Sequence, residues 1–216
     1  MRAVVVTADS RWVISASDDR SIRVWDPRSG ETRSVINTHR HWVRALALTL
    51  DGRLLVSGSD DRTLKVWELE HGSELRTLRR HAARINSVAI APDQRLVISA
   101  SDDQLLKVWN LDTGTELRTL SAHEAKVNAV ALAADGKYIV SASDDCTVKV
   151  WRLATGQLFA SYTGDSPMQA CTIGQQGTIM VGDQTGRLHF LHLEATAEQE
   201  LPDAQPFGRQ EREANV

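Results

Sequence analysis

Four tryptophans, Trp25, Trp67, Trp109 and Trp151, stand 42 residues apart each time. Gly30, Gly72, Gly114 and Gly156 keep the same step, as do Asp19, Asp61, Asp103 and Asp145, and Ser15, Ser57, Ser99 and Ser141. His39, His81 and His123 follow it too. Residues 43–84 and 85–126 are identical at half of their positions. A fixed period of this length means one supersecondary unit repeated, with each copy burying its apolar face only against its neighbours. The chain therefore folds as a stack of equivalent units.

Each unit reads as four short strands. In the second unit, VRALAL at 43–48 alternates small and branched apolar side chains and stops at Asp51-Gly52, a hairpin turn signal. RLLVSGS at 53–59 forms the next strand. Asp60-Asp61-Arg62 makes a tight turn, because aspartate accepts hydrogen bonds from nearby backbone amides. TLKVWEL at 63–69 is the third strand, and Gly72 supplies the positive φ that a short loop needs before ELRTL at 74–78. No stretch combines helical periodicity with caps and length. Runs such as RLLV and LKVW are apolar on both faces, so the sheets are covered on both sides. Four-stranded units stacked face to face around an axis meet that requirement.

Composition limits the partners. The 216-residue chain is 42% hydrophobic and 25% charged, with a net charge of -3. That balance gives no electrostatic reason to expect nucleic acid or an anionic membrane. Cys146 and Cys171 stand in unrelated contexts, which suits a reducing compartment better than a disulfide framework. The opening MRAVVVTADSR is too short in its apolar run for a secretory signal or a membrane span. The expected setting is cytoplasmic.

The run Ser-Asp-Asp-x-x-Leu/Ile/Val-Arg/Lys-Val-Trp with an upstream histidine resembles the WD-repeat (Trp-Asp) β-propellers. The resemblance covers residues 1 to about 193, four units strongly. Glycine is missing before His39, His81 and His123, and aspartate follows only the first tryptophan, as Trp25-Asp26. It implies an all-β fold of about five four-stranded antiparallel blades, four clear and one degenerate, as a small ring, an open arc or part of a longer propeller. The domain reading is a propeller over 1–194 and a polar tail over 195–216. The resemblance also implies a hydrogen-bonded chain in each blade: His39 with Asp61, Ser57 and Trp67; His81 with Asp103, Ser99 and Trp109; His123 with Asp145, Ser141 and Trp151. Asp, His and Ser together could suggest a hydrolase. Their recurrence in phase, and the lack of a Gly-x-Ser-x-Gly elbow, argue for a structural role.

The ends depart from the repeat. RAVVVTAD at 2–9 aligns with RALALTLD at 44–51, but no histidine precedes that first unit. In 162–193 the tryptophan step shortens from 42 to 40, Leu191 takes the tryptophan position and Asp165 the histidine position. TGDSP followed by GDQTGRLHFLHLE looks like the closing repeat of propellers in bacterial NACHT or NB-ARC signalling proteins, although no phosphate-binding loop occurs here. Open blade edges would favour self-association.

If the shared residues build the scaffold, specificity lies in the loops. The resemblance places the partner-facing rim at Trp42, Arg44, Arg84, Asn86, Lys126 and Asn128, with Asp18, Asp60, Asp102 and Asp144. Trp42 stands where its counterparts are Arg84 and Lys126. Tryptophan and arginine are enriched among residues that dominate binding energy. The His39/His41 pair lacks a third ligand nearby, so no metal or other cofactor is expected. Cys146 reads as a substitution at the turn position of Ser21 and Thr63. The expected function is a non-catalytic protein-interaction scaffold or sensor, with a regulatory propeller of an NTPase-linked signalling protein as the alternative.

Overall fold

The computed structural model describes residues 1–37, 39–121 and 123–193. The tail at 195–216 lies outside the described residues. The described residues form five antiparallel sheets, and their one helical turn is a 3-10 turn at Gln175–Gly177. The first sheet holds β1 (Ala3–Val6), β2 (Val13–Ala16), β3 (Ile22–Trp25) and β4 (Thr32–Ile36). The second holds β5 (Val43–Leu48), β6 (Leu54–Ser59), β7 (Leu64–Glu68) and β8 (Ser73–Leu78). The third holds β9 (Ile85–Ile90), β10 (Leu96–Ser101), β11 (Leu105–Asn110) and β12 (Glu116–Ser121). The fourth holds β13 (Val127–Leu132), β14 (Tyr138–Ser143), β15 (Thr147–Arg152) and β16 (Leu158–Thr163). The fifth holds three strands, β17 (Met168–Ile173), β18 (Thr178–Asp183) and β19 (Leu188–His192). Strand order within every sheet follows the chain, so each repeat is one meander.

The turns explain why the strands stop where they do. After β5, Asp51 accepts hydrogen bonds from Thr49 Oγ1 at 2.6 Å and from the Arg53 amide at 3.0 Å, while Gly52 takes φ +69°. The turn between third and fourth strands uses the residue after the tryptophan as an acceptor. Asp26 accepts from the Arg28 amide, Glu68 from His71, and Asn110 from Thr113. Any side chain with a suitably placed oxygen performs that task, which is why the residue varies. Arg152 has no such oxygen and instead lies over the Phe159 ring, 4.8 Å from its centroid.

The core is serial. Val56, Leu64, Val66 and Leu78 of the second sheet pack on Ile85, Val88, Val97 and Trp109 of the third. Equivalent clusters join the first sheet to the second, the third to the fourth and the fourth to the fifth. Each fully buried Val, Leu or Ile contributes about 1.5–3 kcal/mol, so every blade depends on its neighbours. The first strands of successive sheets pack on one another, which puts them on the inside of the arc. The outward faces of the first and last sheets stay exposed, and none of the sheets closes into a ring.

Two positions differ from the sequence reading. Cys146 takes φ +65°, in phase with Arg20, Arg62 and Gln104 at φ 71°, 68° and 72°. It is therefore the left-handed residue of the turn, one position before Thr147, and not the counterpart of Ser21 and Thr63. Asp165 is exposed and does not replace the buried histidine. Leu191 does occupy the tryptophan's place: it pairs with Ile179 as Trp151 pairs with Ile139.

Candidate interaction surface

Each of the middle three blades carries one continuous polar chain. In the second, Trp67 Nε1 donates to Ser57 Oγ at 2.8 Å, Ser57 Oγ lies 2.7 Å from His39 Nε2, and His39 Nδ1 lies 2.9 Å from Asp61 Oδ2. The third repeats this with Trp109, Ser99, His81 and Asp103 at 2.9, 2.7 and 2.8 Å. The fourth repeats it with Trp151, Ser141, His123 and Asp145 at 3.0, 2.8 and 2.9 Å. Neutral histidine with its proton on Nδ1, and an ionised aspartate, satisfy every member. The tautomer is assigned from this hydrogen-bond order. In the first blade Trp25 Nε1 donates to Ser15 Oγ at 2.8 Å, and Asp19 is engaged by Ser21 and Arg23 instead of a histidine.

The aspartates also hold backbone. Asp61 accepts from the Arg40 and Thr63 amides, and Asp103 and Asp145 do the same one and two periods on. Burial opposes their ionisation. Hydrogen bonds from the facing histidine, the turn residues and these amides outweigh it and hold all three carboxyls below the usual carboxylate range. Burial likewise lowers His123, against the raising effect of Asp145. Ser57, Ser99 and Ser141 are fully buried, with Oγ already accepting an indole N–H. The Ser-His-Asp order resembles a hydrolase triad, yet no substrate can reach these hydroxyls.

The rim residues come together as pairs. Asp60 holds Arg44 through both carboxylate oxygens and lies 3.4 Å from His41 Nδ1. Asp102 holds Arg84 at 2.5 Å and Asn86 at 2.7 Å. Asp144 holds Lys126 at 3.1 Å, Asn128 at 2.6 Å and Gln169 at 3.1 Å. Asp18 holds Arg2 at 2.7 Å. The rim charges are thus largely neutralised in place. Among the described residues Trp42 has no carboxylate partner. The guanidinium carbons of Arg2 and Arg44 each stand 5.5 Å from its ring centroid, His41 tilts against it at 5.5 Å, and it is 37% exposed.

Arg2 and Gln169 were not singled out by the sequence reading, and His41 was weighed there only as a metal ligand. Arg2 is in phase with Arg44, a legible signal; Gln169 is hidden by the shortened last period. The fifth blade also has a polar centre that no motif announced. His189 Nε2 lies 3.0 Å from Asp183 Oδ2, and Asp183 further accepts from Thr185 and the Arg187 amide. Desolvation opposes these contacts, but together they hold the Asp183 carboxyl well below the usual range.

His39 has both ring nitrogens engaged and cannot ligate an ion. Among the described residues, Glu68, Glu70 and His71 are close enough to share one, at a turn where His71 Nδ1 already lies 2.9 Å from Glu68. No helix of the described residues is long and apolar enough to cross a membrane.

The family described as WD domain, G-beta repeat matches residues 1–26, 30–68, 72–110 and 114–152. These segments fall on the first four sheets. A 41-residue stretch is 44% identical to the transcriptional repressor rco-1 of Neurospora crassa, covering 19% of this chain and 7% of that protein.

Proposed function

The chain belongs to the WD-repeat family, and from that premise we propose that it binds a protein partner through the loops at the rim of its blades, as a non-catalytic scaffold or sensor. Members of the family generally serve as interaction scaffolds. One observation carries the choice of surface. Trp42 is a partly exposed aromatic, flanked by two guanidinium groups, on a rim whose other charges are paired among themselves. An exposed indole beside arginines is the composition enriched at the energetic centre of interfaces. The remaining rim residues, Arg84, Asn86, Lys126, Asn128 and the aspartates Asp18, Asp60, Asp102 and Asp144, surround it as a polar border. Nucleic acid is disfavoured, since the net charge is -3 and the rim cations face carboxylates. Free cysteines fit the reducing cytoplasm as its setting.

The test is recovery of partners on immobilised chain, wild type against a Trp42→Ala/Arg84→Ala variant of equal thermal stability. Partners held by wild type and lost by the variant support this surface. Equal recovery of the same partners by both removes it.

The fifth blade favours a second reading. Its TGDSP and GDQTGRLHFLHLE wording suits a regulatory propeller of an NTPase-linked signalling protein of the NACHT or NB-ARC kind. Co-purification with an NTPase domain would select that reading.

A further inference from the structure

The two end blades carry apolar faces that every other blade covers. On the last sheet, Met180 pairs with Phe190 and Gly182 with Leu188. Met180, Leu188 and Phe190 are 39%, 69% and 67% exposed. Their counterparts one blade earlier, Val140, Val148 and Val150, are 0%, 1% and 4% exposed, because the fifth sheet lies over them. The same positions in the first three sheets are equally buried. At the other end of the arc, Val4 is 46% exposed, whereas Leu46, Val88 and Val130, each in phase with it, are 7–8% exposed against the preceding blade.

These are the two halves of one interface. Within the molecule it is built four times, always from the rear of one blade and the front of the next. Polar contacts mark the same junction. Asn86 Nδ2 donates to the Val127 carbonyl of the next blade at 2.9 Å, and Asn128 Nδ2 to the Met168 carbonyl at 2.8 Å. Gln169, next in this series, reaches no further blade and turns back to Asp144. Met1 is in phase with Val127 on the first blade.

We propose that the rear of the fifth blade, through Leu188 and Phe190, docks head to tail on the front of the first blade, through Val4, of a second copy of this chain. A second copy is the occupant because this chain displays both complementary faces, exposed among the described residues, at opposite ends of its arc. The contact is heterologous: a pair still keeps one free face of each kind, so assembly continues until the geometry closes. This surface is separate from the Trp42 rim.

The experiment is light scattering after size-exclusion chromatography of the full chain over a wide concentration range. Wild type is expected at no less than twice the 23.9 kDa chain mass, growing with concentration. Val4→Asp and Leu188→Asp/Phe190→Asp change residues that are already exposed, and each is expected to be a monomer. Mixed in equal amounts, they retain one intact face of each kind and must form a dimer that grows no further. A mixture that stays monomeric, single variants that keep the wild-type mass, or wild type that is monomeric throughout each overturn the proposal. Trp42→Ala should assemble like wild type, so the partner-binding reading and this one fail separately.

Discussion

His81 Nδ1 lies 2.8 Å from Asp103 Oδ2 across 22 positions of chain. The histidine precedes the first strand of its blade, and the aspartate sits in the turn after the second. Their contact ties the entry of the blade to its hairpin, with Ser99 and Trp109 completing the chain inward. Asp103→Ala would leave His81 Nδ1 and the Ala82 and Leu105 amides without their acceptor. Stranding a buried polar group such as His81 costs about 1–3 kcal/mol, and the more exposed amides add less. The variant should lose about 3 kcal/mol of stability in urea unfolding; a loss below about 1 kcal/mol would contradict a structural role.

Acid should unfold the protein chiefly through its buried aspartates. His123 is lowered from its ordinary 6.5 in the folded state, so the unfolded chain takes up a proton first as pH falls below that value. Asp61, Asp103 and Asp145 are lowered from 3.8, so their contribution is complete above that pH and is lost as pH falls toward the folded values. Both effects have the same sign, because the unfolded state binds more protons. Midpoints of denaturant unfolding should therefore fall steeply below about pH 4, while below about pH 6.5 the decline due to His123 is opposed by the exposed His71, which Glu68 raises in the folded state. Replacing His123 by glutamine should remove its own decline while leaving the steep fall.

Gly58 faces the third blade where other blades have Ala16, Ala100 and Ala142. A Cβ there would stand 2.7 Å from Ile85 Cγ2 and 3.2 Å from Val88 Cγ1. Gly58→Ala must push the second and third blades apart or displace Ile85, at a cost of about 1–3 kcal/mol. Pairing it with Ile85→Val, which recreates the Ala/Val combination that Ala16 with Val43 and Ala100 with Val127 already pack at the equivalent junctions, should recover part of that loss in a double-mutant cycle.

Trp42→Ala should separate binding from folding. The ring is partly exposed and makes no hydrogen bond of its own among the described residues, so unfolding should shift by no more than about 1 kcal/mol. Truncating a central interface tryptophan typically costs at least ~2 kcal/mol of binding, roughly thirtyfold in Kd. Titration calorimetry with the recovered partner reads the change in Kd against wild type, and urea unfolding reads the change in stability.

Much of the scaffold was legible in the residues. The phase of Trp67, Trp109 and Trp151 located the third strand of each blade, and Asp51-Gly52 and Asp60-Asp61 located turns that occur there. The members of each polar chain were expected from the family resemblance, and the need of a buried indole N–H and a histidine for partners gives that arrangement its physical reason. The rim was legible only as a set of positions. Its residues were chosen as outward-facing, whereas Asp60, Asp102 and Asp144 bind the very cations placed beside them. Pairing of that kind depends on how neighbouring strands bring side chains together, and a linear pattern does not encode it. The fifth blade was hardest to read, since Asp183 and His189 perform a similar task from different positions.

The period alone determined that this chain builds equivalent four-stranded units, because side-chain alternation and turn chemistry act over a few neighbouring residues and are copied with each repeat. Tertiary structure decided how those units meet. Burial of Val140, Val148 and Val150, and exposure of the in-phase Met180, Leu188 and Phe190, follow from whether another sheet lies over them. That is a property of the stack, and identical strand patterns give both outcomes.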